Sequence, residues 1–240
     1  MTLVAIITMV ITTTAMTETT LAPLRLWQLI SPTLPIGAFA YSAGLEYAVE
    51  AGWVRDEAGA GEWIWGQLEE TLSQLELPLL QRFYAAWQTD DAVAIADWST
   101  FLQASREAPE LLAEDRQLGM ALARVLTNLG ISEAEAWQEA ETASFVNLFA
   151  LAGSRWQIPL ETLAAGFLWA WAENQVAAAV KLVPLGQSAG QRLLFAAARR
   201  IPTAVATGLA LADEEIGAGA FGMALASARH ETQYSRLFRS

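Results

Sequence analysis

Along most of the chain the apolar positions recur at three- and four-residue spacing. Strict alternation of apolar and polar residues, the mark of a half-buried strand, is missing. The pattern predicts helices and no sheet. Residues 25–30 form a short amphipathic piece, and residues 31–37 a loop stiffened by Pro32 and Pro35. Residues 38–50 read as one helix ending before Gly52. A helix over 61–77 then meets Pro78, which lacks an amide hydrogen and should break or kink it before 79–87 carries on. Asp90 or Asp91 caps a helix over 92–105. Pro109 in a first turn, with Glu110 behind it, opens a helix that runs to Asn128 and stops at Gly130. Ser132-Glu133-Ala134-Glu135 has the form of a capping box for a helix extending through FVNLFALAG to Gly153.

Pro159 opens the longest apolar segment, PLETLAAGFLWAWAENQVAAAVKLVPLG. It is apolar nearly all round, which predicts a central, buried helix. GQSAGQRLLFAAARR and IPTAVATGLALADEE follow as two more helices, GAGAFG as a turn, and residues 221–227 as a last short helix. No fixed-period repeat and no linker rich in Pro, Gly and Ser divides the chain. The expected fold is all-α: a single globular domain of roughly ten helices around a central apolar helix, spanning residues 24–233. Residues 1–23 are expected to be a disordered or misassigned extension, with Met16 as the initiator, and residues 234–240 a flexible tail.

Composition sharpens this picture. Hydrophobic residues make up 54% of the 240 and charged residues 17%, so a sizeable core is available and global disorder is not. The same excess raises a membrane question. Yet no window of about 18 residues is apolar without interruption; even the central segment carries Glu173, Asn174, Gln175 and Lys181. The apolar run near the start is short, and no cation precedes Arg25, so it lacks the positive region of a secretory signal. A net charge of -12 disfavours nucleic acid and anionic membrane surfaces as partners. There is no cysteine and one histidine, His230. Disulfides, thiolate metal sites and cysteine nucleophiles are excluded. Any metal would rest on carboxylates and at most one imidazole, a poor set for tight soft-metal binding.

The candidate chemistry is sparse. At 100° per residue, Phe39, Ser42, Glu46 and Glu50 share one sector, while Tyr41, Leu45 and Ala48 form an opposite core stripe. The polar sector is either a solvated face or, with Phe39 as an aromatic anchor after a stiff loop, a docking surface. Lys181 is the sole lysine and sits near a helix C-terminus, where the dipole favours a cation. The end of the chain, SARHETQYSRLFRS, gathers Arg229, His230, Arg236 and Arg239 with Tyr234, Leu237 and Phe238. HETQY is not the two-histidine zinc motif, because Tyr234 stands in the second ligand position. Phosphate loops, dinucleotide fingerprints and nucleophile elbows are absent. A helical acid–base enzyme using Glu46, Lys181 and His230 stays open as an alternative if a concave pocket gathers them.

Three segments together, LWQLISPTLPIGAFAYSAGLEYAVEAGWV, VAAAVKLVPLGQSAGQRLL and RHETQYSRLFRS, resemble the UreF family of urease accessory proteins. The resemblance implies an all-helical, cytoplasmic, homodimeric adaptor without catalytic residues, cofactor or metal of its own. Such an adaptor binds UreD (called UreH in some organisms), recruits the GTPase UreG, and helps insert nickel into apo-urease. It also implies that Pro35, Phe39, Ser42, Glu46 and Lys181 face UreG. Position 39 is tyrosine in some members and phenylalanine here. The tail carrying Arg229, His230, Glu231, Tyr234, Arg236, Leu237 and Phe238 is expected to be mobile until UreD orders it.

Overall fold

The computed structural model describes residues 18–217, 219 and 221–240, and among them it contains ten α-helices and no strand. The expectations for the first residues and for a start at Met16 lie outside the described residues. Helix α1 (Glu18–Leu29) begins earlier than the periodicity suggested, so residues 18–23, assigned above to the extension, are helical. Ala22, Leu26 and Leu29 are buried on one side of it.

The predicted helix over 38–50 is broken. Gly37 is left-handed (φ 81°), Ala38–Ala40 form a single 3-10 turn, and Tyr41 is extended. Ala43 (φ 48°) and Gly44 (φ 79°) are left-handed again, and α2 covers only Leu45–Glu50. Two successive left-handed residues cannot sit inside a right-handed helix. Gly44 is doubly required: a Cβ there would lie 3.0 Å from Ala226 Cβ and from the Ser227 amide nitrogen of the last helix.

Helix α3 (Glu57–Gln67) starts on Asp56, whose carboxylate accepts the Gly59 amide at 2.8 Å. It passes through a wide-turn π segment, Leu68–Glu76, directly into α4 (Leu77–Thr89), so Pro78 does not break the path. The carbonyl that Pro78 cannot reach, that of Gln74, accepts the Gly217 amide at 3.1 Å instead. Asp91 caps α5 (Ala92–Ala104), and α6 (Pro109–Asn128) follows. Ser132–Trp137 is a 3-10 turn rather than a helix start. The Ser132 hydroxyl is drawn to its neighbour Glu133 at 3.2 Å. Ser144 is the true cap of α7 (Phe145–Arg155), accepting the Asn147 amide at 3.3 Å.

Helix α8 (Leu160–Leu182) precedes α9 (Gln187–Ala210), which is one helix where two were expected. Pro202 is tolerated inside α9 because it and Ala198, whose carbonyl loses its partner, both face solvent. The last helix is α10 (Phe221–His230). In the core, α4 packs on α5, α7 and α9, and α8 packs on α2, α3, α7 and α9. Phe145, Phe149 and Phe167 lock α7 to α8 with ring centroids 5.2–5.7 Å apart. None of the described helices is long and apolar enough to cross a membrane.

Candidate functional site

After α10 the chain turns back across α2 and α6, and its acceptors are the carboxylates of those helices. Glu46, in the first turn of α2, accepts the Leu237 amide on Oε1 at 2.6 Å and the Phe238 amide on Oε2 at 2.8 Å. Glu46 Oε2 also lies 3.2 Å from His230 Nε2. The other ring nitrogen, Nδ1, is 2.8 Å from Glu110 Oε2, and Glu110 Oε1 accepts Arg236 at 2.9 Å. A row of polar contacts therefore runs Glu46, His230, Glu110, Arg236. With a hydrogen on each ring nitrogen, His230 donates to both carboxylates. His230 is fully buried and Glu46 is 7% exposed, so these bonds are made away from water, where an unmet group is costly.

The far end is fastened as well. The Arg239 amide donates to the Ala40 carbonyl at 2.8 Å. The Ser42 amide donates to the Ser240 carbonyl at 2.9 Å, and the Ser42 hydroxyl donates to the same oxygen. The Ser240 hydroxyl donates to Glu114 Oε2 at 2.6 Å. Glu110 and Glu114 are one helical turn apart on α6, which is why both reach the same strip of tail. Phe238 is buried, and Lys181 Nζ stands 5.5 Å from its ring centroid.

Several expectations change accordingly. Ser42 and Glu46 are not displayed on a polar face: Ser42 is fully buried and Glu46 nearly so, because the break at Gly44 moves them out of register with Phe39. Phe39, at 70% exposure, and Glu50 do face solvent; so do Pro35 and Lys181. Tyr41, Leu45 and Ala48 are buried together. The tail is docked rather than loose. Acceptors of the same chain meet it: Glu46 takes the Leu237 and Phe238 amides, Glu110 pairs with Arg236, and Glu114 takes the Ser240 hydroxyl. Arg229, Glu231, Tyr234 and Leu237 remain exposed. Glu110 and Glu114 were missed; their signal was an acidic i, i+4 pair available to a basic tail.

A family model of UreF matches residues 54–198. The chain belongs to the UreF family. It is 60% identical over 220 residues to the urease accessory protein UreF of Alkalilimnicola ehrlichii, covering 92% of this chain and 96% of that one. It is 50% identical to the UreF of Pseudomonas entomophila over 223 residues, 93% and 100% of the two chains. Against the UreF of Teredinibacter turnerae it is 49% identical over 217 residues, 90% and 98%. Both the Ser42–Glu46 turn and the tail lie outside the span of the UreF model, so their joining is visible in the structure alone.

Of the acid–base constellation in this UreF chain, Glu46 and His230 are 3.2 Å apart, and Lys181 stands over the ring of Phe238, whose amide Glu46 holds. The nearby pocket of about 80 Å³ is lined by Ala43, Gln67, Glu76, Arg106 and Glu114 among others, and by none of those three. Among the described residues no cluster of three or more His, Asp or Glu is placed to hold a metal.

Glu114 carries a testable consequence. Burial pushes its carboxyl up to about 7, with the Ser240 hydroxyl and Arg106 opposing and Asp115 and Glu110 reinforcing. A carboxyl raised in the folded state stabilises below its unfolded value and loses that contribution as pH rises through the folded one. Between about pH 4.5 and pH 8 the loss is expected to reach about 2–3 kcal/mol. Glu114→Gln should flatten that part of the stability–pH curve in urea titrations; an unchanged slope would show that the carboxyl is solvated.

Proposed function

We propose that the chain is a urease-maturation adaptor that joins UreD and apo-urease to the GTPase UreG and helps couple GTP hydrolysis to nickel insertion. In this reading it works in the cytoplasm as a homodimer, nickel is cargo, and the hydrolysis takes place on UreG. Membership of the UreF family supports the maturation role. The observation that carries the finer reading is Glu46: grouped by the resemblance with the UreG-facing residues but turned inward, it holds the backbone of Leu237 and Phe238, which the resemblance assigns to UreD. The two surfaces are thereby one structural unit, with Phe39 and Lys181 exposed at its edge. An adaptor needs such continuity if occupancy by one partner is to prepare the site for another.

Phe39→Ala and Lys181→Ala test this. Both side chains are exposed, so melting temperature should hardly move, Lys181 giving up only its place over the Phe238 ring. Loss of an anchor or of a charged contact is expected to cost 1–2 kcal/mol, which is about a tenfold weaker capture of UreG. Capture of UreD should be unchanged. Copurification from cells producing all three proteins reads both. UreG capture at wild-type level by both variants would overturn the assignment of this face.

A further inference from the structure

Helix α9 has three arginines, Arg192, Arg199 and Arg200, and no carboxylate, in a chain of net charge -12. Two of the three are committed. Arg192 grips Glu57 with two bonds of 2.9 and 2.6 Å. Arg200 pairs with Glu69 at 2.5 Å and lies 4.3 Å from the Trp65 ring centroid. Arg199 is different. Among the described residues no carboxylate pairs with it, and its guanidinium rests 4.9 Å from the centroid of Phe195, itself 66% exposed.

Arg199, Thr203 and Thr207 follow one another at four-residue spacing, so they project in a row. With Arg200, Ser73 and Glu69 they line an open groove of about 350 Å³ between α9 and the wide-turn segment Leu68–Glu76. The hydroxyls of Thr203 and Thr207 are unengaged among the described residues. Glu69 is the groove's one acidic wall residue, and Arg200 already answers its charge. Exposed Ala198, Pro202 and Ala206 run as an apolar strip along the same helix.

We propose that this groove docks an acidic segment of a partner polypeptide. A carboxylate of that segment takes the free fork of Arg199 and the hydroxyls of Thr203 and Thr207, while an adjacent apolar side chain covers Phe195. Stacking on Phe195 holds the guanidinium in place beforehand, which lowers the entropy lost on pairing. An exposed aromatic beside an unpaired arginine is the composition of an interface centre. A bare phosphate would leave Phe195 and the apolar strip uncovered, and a polyanion such as nucleic acid would be repelled by the rest of the chain.

The full chain can be tested by fluorescence anisotropy with a labelled octapeptide of alternating glutamate and leucine. The peptide should bind, bind more weakly as salt rises, and lose about tenfold in affinity with Arg199→Glu and severalfold with Phe195→Ala. A lysine–leucine octapeptide should not bind. Both substituted side chains are exposed, so thermal melts should match wild type; Arg199→Gln is a milder second variant. Inorganic phosphate should displace the peptide no better than chloride of equal ionic strength. Absence of binding, equal affinity for wild type and Arg199→Glu, or displacement specific to phosphate would overturn the proposal.

Discussion

Glu46→Ala is expected to unfasten the end of the chain and to lower the melting temperature by about 6–12 °C. The carboxylate holds two successive amides, those of Leu237 and Phe238, at 2.6 and 2.8 Å, and stands 3.2 Å from His230. Alanine leaves the ring with Glu110 alone and both amides without an acceptor. Hydrogen bonds to a charged group are worth about 1.5–3 kcal/mol each, but the freed tail regains water and conformational freedom. A net loss of about 3 kcal/mol follows, and each kcal/mol moves the melting temperature of a chain this size by about 2–4 °C. Glu46→Gln keeps one acceptor oxygen and should fall between the two. Hydrogen exchange should show the Leu237 and Phe238 amides protected in the parent and open in Glu46→Ala. Because the same residue joins both proposed partner surfaces, capture of UreD and UreG should fall together. Equal melting with equally open amides in both proteins would show that the tail is not held.

The helical class was legible from spacing alone, because eleven- to twenty-residue amphipathic stretches leave a period that no strand imitates. What misled was chemistry acting across the chain. Residues 38–50 have helical composition, yet the break at Ala43 and Gly44 is imposed by the close passage of Ala226 and Ser227, far away in sequence. Pro78 looked like a stop because the acceptor freed at Gln74 could not be matched in advance to the amide of Gly217. Ser132 had a capping sequence, but Ser144 does the capping. For the site, the residue types were found and their arrangement was not. Phe39 and Lys181 lie at the surface as a docking face requires, whereas Ser42 and Glu46 turn inward to their own tail. Docking was hidden because a basic terminal segment and an acidic face of α6 carry no label saying that they meet.

The largest effect is expected from Arg106. It lies between Glu76 and Asp115, 2.5 Å from a carboxylate oxygen of the first and 3.1 Å from one of the second, with only 11% of its side chain exposed. Asp115 also accepts the Phe145 amide at 2.8 Å, so the cluster ties α6 to the start of α7 and to the wide-turn segment. Burial already pushes the Glu76 carboxyl above its usual range, with Arg106 opposing. For the arginine, burial pulls the other way, but the two carboxylates prevail and hold it charged. Arg106→Met would leave two buried carboxylates without a counter-charge, and among the described residues Glu76 Oε2 already lacks a partner. The expected cost is about 3–5 kcal/mol. The deficit should depend on pH with a definite sign. Without Arg106 the folded Glu76 carboxyl is raised further, so its contribution is retained below the unfolded value and lost as pH rises through the folded one. Denaturant midpoints should therefore separate most at about pH 8 and converge toward about pH 5. Combining Arg106→Met with Glu76→Gln and Asp115→Asn removes all three charges, keeps an acceptor for the Phe145 amide, and should recover most of the loss. A cost below about 1 kcal/mol at the higher pH, or a deficit indifferent to pH, would mean that water reaches the triad and that its pairing does not hold α6 in place.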